Sequence, residues 1–278
     1  MKNINQMISL TINSTMFDEA RLLAFLPRLV KTFDNFFDEL LIIHDSQKPE
    51  GRIALLHNYS NDQVIEKEFL DDISSIDERI RIVKFDSKRL EETSKFFFKK
   101  KGINRCSDGT PITAFLYGIK AAKNNLIFRA DCDVFFYDNG FIENAIKILK
   151  EGRYLLVQPP SHWNSYKTFS TRGFFVNRLL FEQTLPIRLY KHNIFTLANK
   201  IIKNKYSNSY LSLEGILQKQ YESQVYFQQL SLGNMLHVCT RDEFLNQDIS
   251  RNLDAFCEGN IPVSQTNTSI NYISELWD

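Results

Sequence analysis

Residues 125–136 read NLIFRADCDVFF, and this stretch decides how the rest of the chain is interpreted. A short apolar run ends in two aspartates one residue apart, Asp131 and Asp133. The pattern is typical of a buried strand that delivers a pair of carboxylates to the rim of a sheet. Such a pair suits a hard divalent cation, Mg²⁺ or Mn²⁺, which prefers oxygen ligands. Because adjacent side chains of an extended segment alternate faces, we expect Cys132 to point away from both aspartates, into the sheet.

The first half of the chain alternates strands with helices. Apolar runs predict strands over 6–13, 39–45, 79–85 and 125–130. Helical spacing predicts helices over 20–33, 62–73, 88–101 and, after a Thr110-Pro111 start signal, 112–122. This order favours an α/β fold with a mostly parallel central sheet and helices on both faces. Ligands of such sheets bind at the carboxyl ends of the strands, where Asn13, Asp45 and the two aspartates would lie.

The second half carries shorter elements. Its pattern predicts strands over 154–158 and 171–177 and helices over 140–151, 178–184, 187–205 and 213–221. A last core strand is predicted over 235–239. Because neither an internal repeat nor a flexible linker divides the chain, we expect one domain over 1–240. A polar tail over 241–278 is expected to pack on it.

Composition excludes several classes of protein. The chain has 278 residues and a net charge of +1, so nothing in its charge calls for a nucleic-acid partner. Four scattered cysteines indicate neither a disulfide framework nor a zinc site, and a reducing cytosol is expected. No secretory signal opens the sequence, and no apolar run reaches the roughly 18 residues of a membrane helix. Cytoplasmic localisation follows, and contact with the inner face of the membrane stays open.

In this order of elements the chain resembles glycosyltransferases of the GT-A fold over roughly residues 6–240. The resemblance lies in the second strand ending at Asp45, the loop and helix that feed the Asp-x-Asp strand, the segment GFFVN over 173–177, and the helix LEGILQ over 213–218. It implies a nucleotide-sugar half over 1–138 and a smaller acceptor half over 139–240. The helix lacks the Glu-Asp doublet common in inverting members, and the Asp45 strand lacks the usual Asp-Asp or Gly-Ser run.

The resemblance also assigns a metal site. Asp133 would bind Mn²⁺ or Mg²⁺ directly, while Asp131 would face the ribose or a metal-bound water. A late histidine often completes the metal shell in this fold, and His237 is the candidate. Its alternative is a core histidine whose ring is satisfied by the backbone.

Glu214 is the expected catalytic base, which would deprotonate the acceptor hydroxyl in a single, inverting displacement. The alternative for Glu214 is a first-turn glutamate favoured by the helix dipole, with Ser212 as the cap. Asn13 and Asp45 would hold the nucleoside, although both are also common turn residues.

Six further candidates complete the predicted site. Arg105 and Asp108 would touch the nucleotide or its phosphates, or else lie in a surface turn. The acceptor would dock near aromatic and basic residues of the following loop: His162, Trp163, Tyr166 and Arg172.

The sequence thus predicts a metal-dependent glycosyltransferase. Its donor would be a UDP- or GDP-sugar, and its acceptor a hydroxyl of a glycan or a lipid-linked glycan. A sugar-nucleotide nucleotidyltransferase is one alternative, although the turn after the first strand lacks the glycines of a phosphate loop. A non-catalytic carbohydrate-binding protein on the same fold is the other.

Overall fold

The fold is described from a computed structural model. It covers residues 7–15, 19–45, 67–104, 112–132, 134–136, 139–159, 167–191, 211–228 and 235–237. The strands are β1 (Ile8–Thr15), β2 (Phe37–Asp45), β3 (Ile80–Phe85), β4 (Leu126–Ala130), β5 (Val134–Phe136), β6 (Leu156–Gln158), β7 (Gly173–Asn177), β8 (Val225–Phe227) and β9 (Met235–His237). The helices are α1 (Glu19–Phe33), α2 (Lys67–Ser75), α3 (Ser87–Phe98), α4 (Ile112–Ala121), α5 (Gly140–Lys150), α6 (Arg178–Gln183) and α7 (Leu213–Tyr221).

Seven of these strands form one sheet in the order β3-β2-β1-β4-β7-β6-β8. The pairs β3–β2, β2–β1, β1–β4 and β6–β8 are parallel, whereas β7 runs antiparallel to both of its neighbours. β5 and β9 form a separate antiparallel pair. The predicted α/β class is therefore confirmed: a mostly parallel sheet with helices on both faces.

Helices cover both faces of the sheet because the apolar residues of each strand point alternately to one face and to the other. On β4, Phe128 belongs to the face that packs against α1 and α5, and its ring stacks on Phe33 at 4.8 Å. Ile127 belongs to the opposite face, which packs against α3, α4, α6 and α7. This double burial explains why the parallel strands read as continuous apolar runs.

Close packing of α4 on the sheet depends on Gly118. A Cβ at this position would lie 3.2 Å from Thr11 Cβ and 3.5 Å from Ile43 Cγ1. The absence of a side chain therefore lets the helix approach β1 and β2 closely.

Two predicted elements are wrong in part. Residues 187–191 are not helical: the Ile187 N–H donates to the Phe97 carbonyl, and the Tyr190 carbonyl accepts from Leu211. These backbone groups form hydrogen bonds with other segments of the chain, so they are not available for bonds within a helix. Residues 192–205 lie outside the described part. The strand predicted over 235–239 exists over 235–237, but it pairs with β5 and is not part of the main sheet.

None of the described helices combines the length and the apolar character that crossing a bilayer requires.

Candidate active site

Three of the predicted site residues lie at the carboxyl edge of the sheet. Asn13 pairs in register with Ile43, two residues before Asp45, and Asp131 follows the last pair of β1 with β4, Ile12 with Ala130. Alternation along the strands places Asn13, Asp45 and Asp131 on the same face of the sheet, the one covered by α4. Three of the side chains that the sequence assigned to the nucleotide thus lie on one face at this edge.

Asp45 and the side-chain amide of Asn13 are buried in this group. Asp45 is 2% exposed. Neither amide atom of Asn13 is exposed, and within the described residues neither has a hydrogen-bond partner. A buried amide in this state indicates a contact outside the described protein groups, because buried polar atoms are almost always hydrogen-bonded.

Asp131 is paired with a buried arginine. Its side chain is 33% exposed, and Oδ1 accepts from Nη1 of Arg129, which is itself only 3% exposed. The Asp131 N–H also donates to the Arg172 carbonyl at 2.9 Å. Cys132 points to the opposite face and belongs to the core under α1 and α5, as predicted. The first aspartate of the motif is therefore held by both its side chain and its backbone.

Glu214 lies beside the same turn. α7 begins after Ser212, whose hydroxyl accepts from the Gly215 N–H at 3.3 Å, so the predicted cap is confirmed. From the first turn of this helix, Glu214 Oε1 accepts from Thr171 Oγ1 at 2.9 Å and from Thr171 N at 3.5 Å. Among the described residues these bonds involve Oε1 alone. Oε2 is therefore the oxygen of Glu214 that a ligand would meet.

The loop that carries Thr171 is fixed by side-chain amides from two elements. Gln158 Nε2 donates to the Gly173 carbonyl at 2.6 Å, and its Oε1 accepts from the Ser170 N–H at 3.0 Å. One helical turn after Glu214, Gln218 accepts from the Phe169 N–H at 2.7 Å and donates to the Lys167 carbonyl at 2.8 Å. These four bonds hold the loop over 167–173 against β6 and α7.

His237 comes near the Asp-x-Asp segment through strand pairing. In the β5–β9 pair its backbone lies opposite Val134, the residue that follows Asp133. The register therefore brings the predicted third metal residue beside the motif at the level of the backbone. The side chain of His237 and the whole of Asp133 are outside the described residues.

Five other predicted site residues fall outside the described part: Arg105, Asp108, His162, Trp163 and Tyr166. Arg172 is described, and it lies in the turn that accepts the Asp131 N–H.

The side chains of the described residues do not by themselves form a metal site. Nowhere in the described ranges do three or more His, Cys, Asp or Glu side chains come together in a way that could hold an ion. Asp131 supplies one carboxylate, and Arg129 already compensates its charge. A site for Mn²⁺ or Mg²⁺ would thus need further ligands from outside the described side chains, and Asp133 and His237 are the predicted ones.

The structure adds residues that the sequence analysis left without a role. Arg129 links Asp131 to the Thr171 carbonyl, and Thr171 in turn links to Glu214. A signal for Arg129 was present, since it is the one charged residue in the strand Leu126–Ala130, all of which is buried. Gln158 and Gln218 carried no comparable signal, because glutamine is common on exposed surfaces.

No protein-family model and no curated protein sequence matches this chain. Among solved structures, the galactosyltransferase LgtC in complex with donor and acceptor sugar analogs has a TM-score of 0.52 at 10% identity, covering 91% of this chain and 96% of that one. The apo form of the glycosyltransferase GlyE from Streptococcus pneumoniae TIGR4 has a TM-score of 0.50 at 10% identity, covering 97% of this chain and 64% of that one. Identities this low establish a shared architecture only. The chain has the GT-A fold of nucleotide-sugar glycosyltransferases.

Proposed function

We propose that this protein is a metal-dependent glycosyltransferase that moves a sugar from a nucleotide-sugar donor to a hydroxyl of a glycan or a lipid-linked acceptor. One observation carries the proposal: Asp131 and Glu214 both hydrogen-bond to the same turn, Thr171-Arg172, at the carboxyl edge of the sheet. That edge is where α/β sheets bind their ligands. A donor held by one carboxylate would therefore lie close to the other.

The nucleoside of a UDP- or GDP-sugar would occupy the edge near Asn13 and Asp45. The amide of Asn13 has no partner among the described residues, and its NH2 group and carbonyl oxygen suit the edge of a base or a ribose hydroxyl. Asp131, with its carboxylate held by Arg129, would accept from a ribose hydroxyl. Arg105 and Asp108 are proposed to meet the nucleotide or its phosphates.

Asp133 and His237 would hold the divalent ion, with Asp131 adjacent. A bound Mn²⁺ or Mg²⁺ would neutralise the negative charge of the leaving diphosphate. The register of β5 with β9 supports this assignment, since it brings the backbone of His237 next to the motif.

Glu214 is proposed as the catalytic base of a single displacement. The acceptor oxygen attacks the anomeric carbon, the bond from that carbon to the diphosphate oxygen breaks, and the acceptor proton passes to Glu214 Oε2. The bonds from Thr171 to Oε1 support this role, because they fix the carboxylate while leaving the second oxygen for the acceptor. The sugar is transferred with inversion.

The first experiment is a thermal-shift panel of UDP, GDP, CDP and CMP, each with and without Mn²⁺. A ligand that binds only the native state raises its melting temperature, so one nucleoside diphosphate with Mn²⁺ should raise it and the others should not. Release of nucleoside diphosphate from UDP-glucose, UDP-galactose and GDP-mannose then measures turnover. Asp133→Ala should abolish it, and Glu214→Gln should lower it to a reduced but measurable rate.

The results separate the alternatives. No shift with any nucleotide would count against the glycosyltransferase assignment. Release of pyrophosphate from a nucleoside triphosphate and a sugar phosphate would identify a nucleotidyltransferase instead. A shift without turnover on any donor and acceptor would favour a binding protein.

A further inference from the structure

Arg129 is a buried cation in the middle of the sheet. It lies on β4 between β1 and β7, and it is 3% exposed. An arginine side chain does not lose its proton in proteins, so a buried guanidinium must be compensated by a carboxylate and hydrogen bonds. The partners of Arg129 therefore indicate what its charge is used for.

Its partners fix the guanidinium in one orientation. The guanidinium carbon lies 3.6 Å from the centre of the Phe115 ring, so the group stacks on α4. Nη1 donates to Asp131 Oδ1 and to the Thr171 carbonyl. One nitrogen thus bridges the end of β4 and the turn that precedes β7.

The turn continues the connection to α7. Thr171 is buried, and its hydroxyl donates to Glu214 Oε1 at 2.9 Å. Beside it, the Arg172 carbonyl accepts the Asp131 N–H at 2.9 Å. The two carboxylates assigned to the donor and acceptor sides are therefore joined by one guanidinium and one turn.

We propose that Arg129 is a positioning residue that couples Asp131 on the donor side to Glu214 on the acceptor side. The proposal rests on the function proposed above. Arg129 does not meet the substrate. It holds the Asp131 carboxylate with one N–H bond and the Thr171 turn with another, so a donor seated on Asp131 meets Glu214 at a fixed separation.

The chemistry of the site requires arginine in particular. A planar guanidinium can stack on Phe115 while its N–H groups point sideways to two acceptors. A lysine ammonium could reach the same oxygens, but it cannot stack as a plane. Methionine would fill much of the same space without donating a bond. Lysine and methionine variants consequently separate the charge and hydrogen bonds from the packing.

Arg79 provides a matched control. Its guanidinium carbon lies 3.8 Å from the centre of the Phe37 ring, and Nη2 contacts Asp77 at 2.7 Å and Asp34 at 2.8 Å. Like Arg129, it lies over an aromatic ring and pairs with a carboxylate, although its side chain is 24% exposed. It lies at the amino end of the sheet, away from the candidate site.

The experiment measures nucleoside diphosphate release from the sugar nucleotides above, with Mn²⁺, for Arg129→Lys, Arg129→Met and the same two changes at Arg79. All assays are run below the melting temperature of each variant. Arg129→Met should lower kcat/KM about 10- to 100-fold, the loss expected for hydrogen bonds to a charged group. Arg129→Lys should recover part of that loss. Both Arg79 variants should stay within about twofold of the parent protein.

A double-mutant cycle with Glu214→Gln gives the decisive result. If Arg129 acts through the turn that holds Glu214, the losses of kcat/KM caused by the two substitutions overlap. The fold-loss that Glu214→Gln causes in the Arg129→Met protein should then be less than about a tenth of the fold-loss that it causes in the parent. With Arg79→Met in place of Arg129→Met, the losses should multiply. Overlapping losses would indicate positioning. A general loosening of the fold would give losses that multiply, because it does not couple two distant side chains.

Three outcomes are distinguishable. Overlapping losses with recovery by lysine support the proposal. Losses that multiply, or Arg129 variants that behave like the Arg79 variants, overturn it and leave the proposed function standing. A parent protein that binds no nucleotide in the panel and releases no diphosphate overturns both.

Discussion

Replacing Glu39 with glutamine probes a buried hydrogen-bond network at the amino end of the sheet, opposite the candidate site. Glu39 is 5% exposed. Its Oε2 accepts from Ser9 Oγ at 2.6 Å and from the Lys123 N–H at 2.8 Å, and its Oε1 accepts from Arg81 Nη2 at 2.6 Å. The network ties the turn after α4 to β1, β2 and β3.

The size of the effect follows from these contacts. Glutamine has the same shape but only one acceptor oxygen, so its amide nitrogen must face one of the three donors. The least costly choice faces Arg81, which is about half exposed and can turn to water. The variant then loses one charged hydrogen bond and weakens two others, and we expect its free energy of unfolding to fall by about 2 kcal/mol at pH 7.

The effect should depend on pH. Burial raises the pKa of the Glu39 carboxyl, but the hydrogen bonds from Lys123, Ser9 and Arg81 outweigh it and hold the pKa below its ordinary value of 4.5. A carboxyl whose pKa is lowered by folding stabilises the protein above its unfolded pKa. That stabilisation is lost as the pH falls from 4.5 through the lower folded value. The difference between parent and variant should therefore shrink below pH 4.5.

Urea unfolding followed by circular dichroism, at pH 7 and at steps below pH 4.5, measures both effects. Glu91→Gln is the control: this carboxylate is half-exposed beside Lys95 and Lys101, so its loss should leave the unfolding midpoint nearly unchanged. Equal stability of parent and Glu39→Gln at pH 7 would refute the assigned network. A difference that stays constant on acidification would refute the pKa argument.

Three further predictions concern the site and the core. Thr171→Val removes the hydroxyl that holds Glu214 but keeps the side-chain shape, so kcat for donor turnover should fall about tenfold with the donor KM unchanged. Phe33→Ala should lower the free energy of unfolding by about 3–5 kcal/mol in a urea titration, because the ring is fully buried against Phe128. Burial raises the pKa of Tyr221 to about 12, so ultraviolet titration should show one tyrosine ionising last, and the stabilisation from its protonated form should be lost as the pH rises from about 10 to about 12. Ionisation of all tyrosines near pH 10 in the folded protein would contradict this assignment.

The parallel half of the fold was predictable because its strands are buried on both faces. The run ELLIIHD at 39–45 is apolar on successive positions, and the structure places it in β2 between β1 and β3. β5 and β8, with three residues each, were missed, whereas the equally short β6 and β9 were found inside longer predicted strands.

The remainder depended on contacts between distant segments. Residues 187–191 carry apolar residues at spacings that suit a helix, yet Ile187 is bonded to Phe97 and Tyr190 to Leu211. Sequence periodicity contains no information about such partners. β9 was recognised as a strand, but its pairing with β5 depends on residues about a hundred positions apart.

The candidate site shows the same division. Asn13, Asp45 and Asp131 could be placed together from the sequence, since parallel strands bring their carboxyl ends to one edge. The turn at Thr171 could not, because its position depends on Gln158, Gln218 and Arg129 acting from three different elements. Asp133 and His237 remain predictions.

Gly118 has an evolutionary consequence. This glycine lets α4 lie close to Thr11 on the sheet. Phe115 is one turn earlier on the same helix, so the distance between the helix and the sheet affects how its ring meets the guanidinium of Arg129. A methyl group at 118 would lie 3.2 Å from Thr11 Cβ, so either the Thr11 side chain or the helix must give way by a few tenths of an ångström. Where the helix is the part that gives way, the contact of Phe115 with Arg129 changes as well, so we expect positions 118, 115 and 129 to vary together among descendants of this sequence.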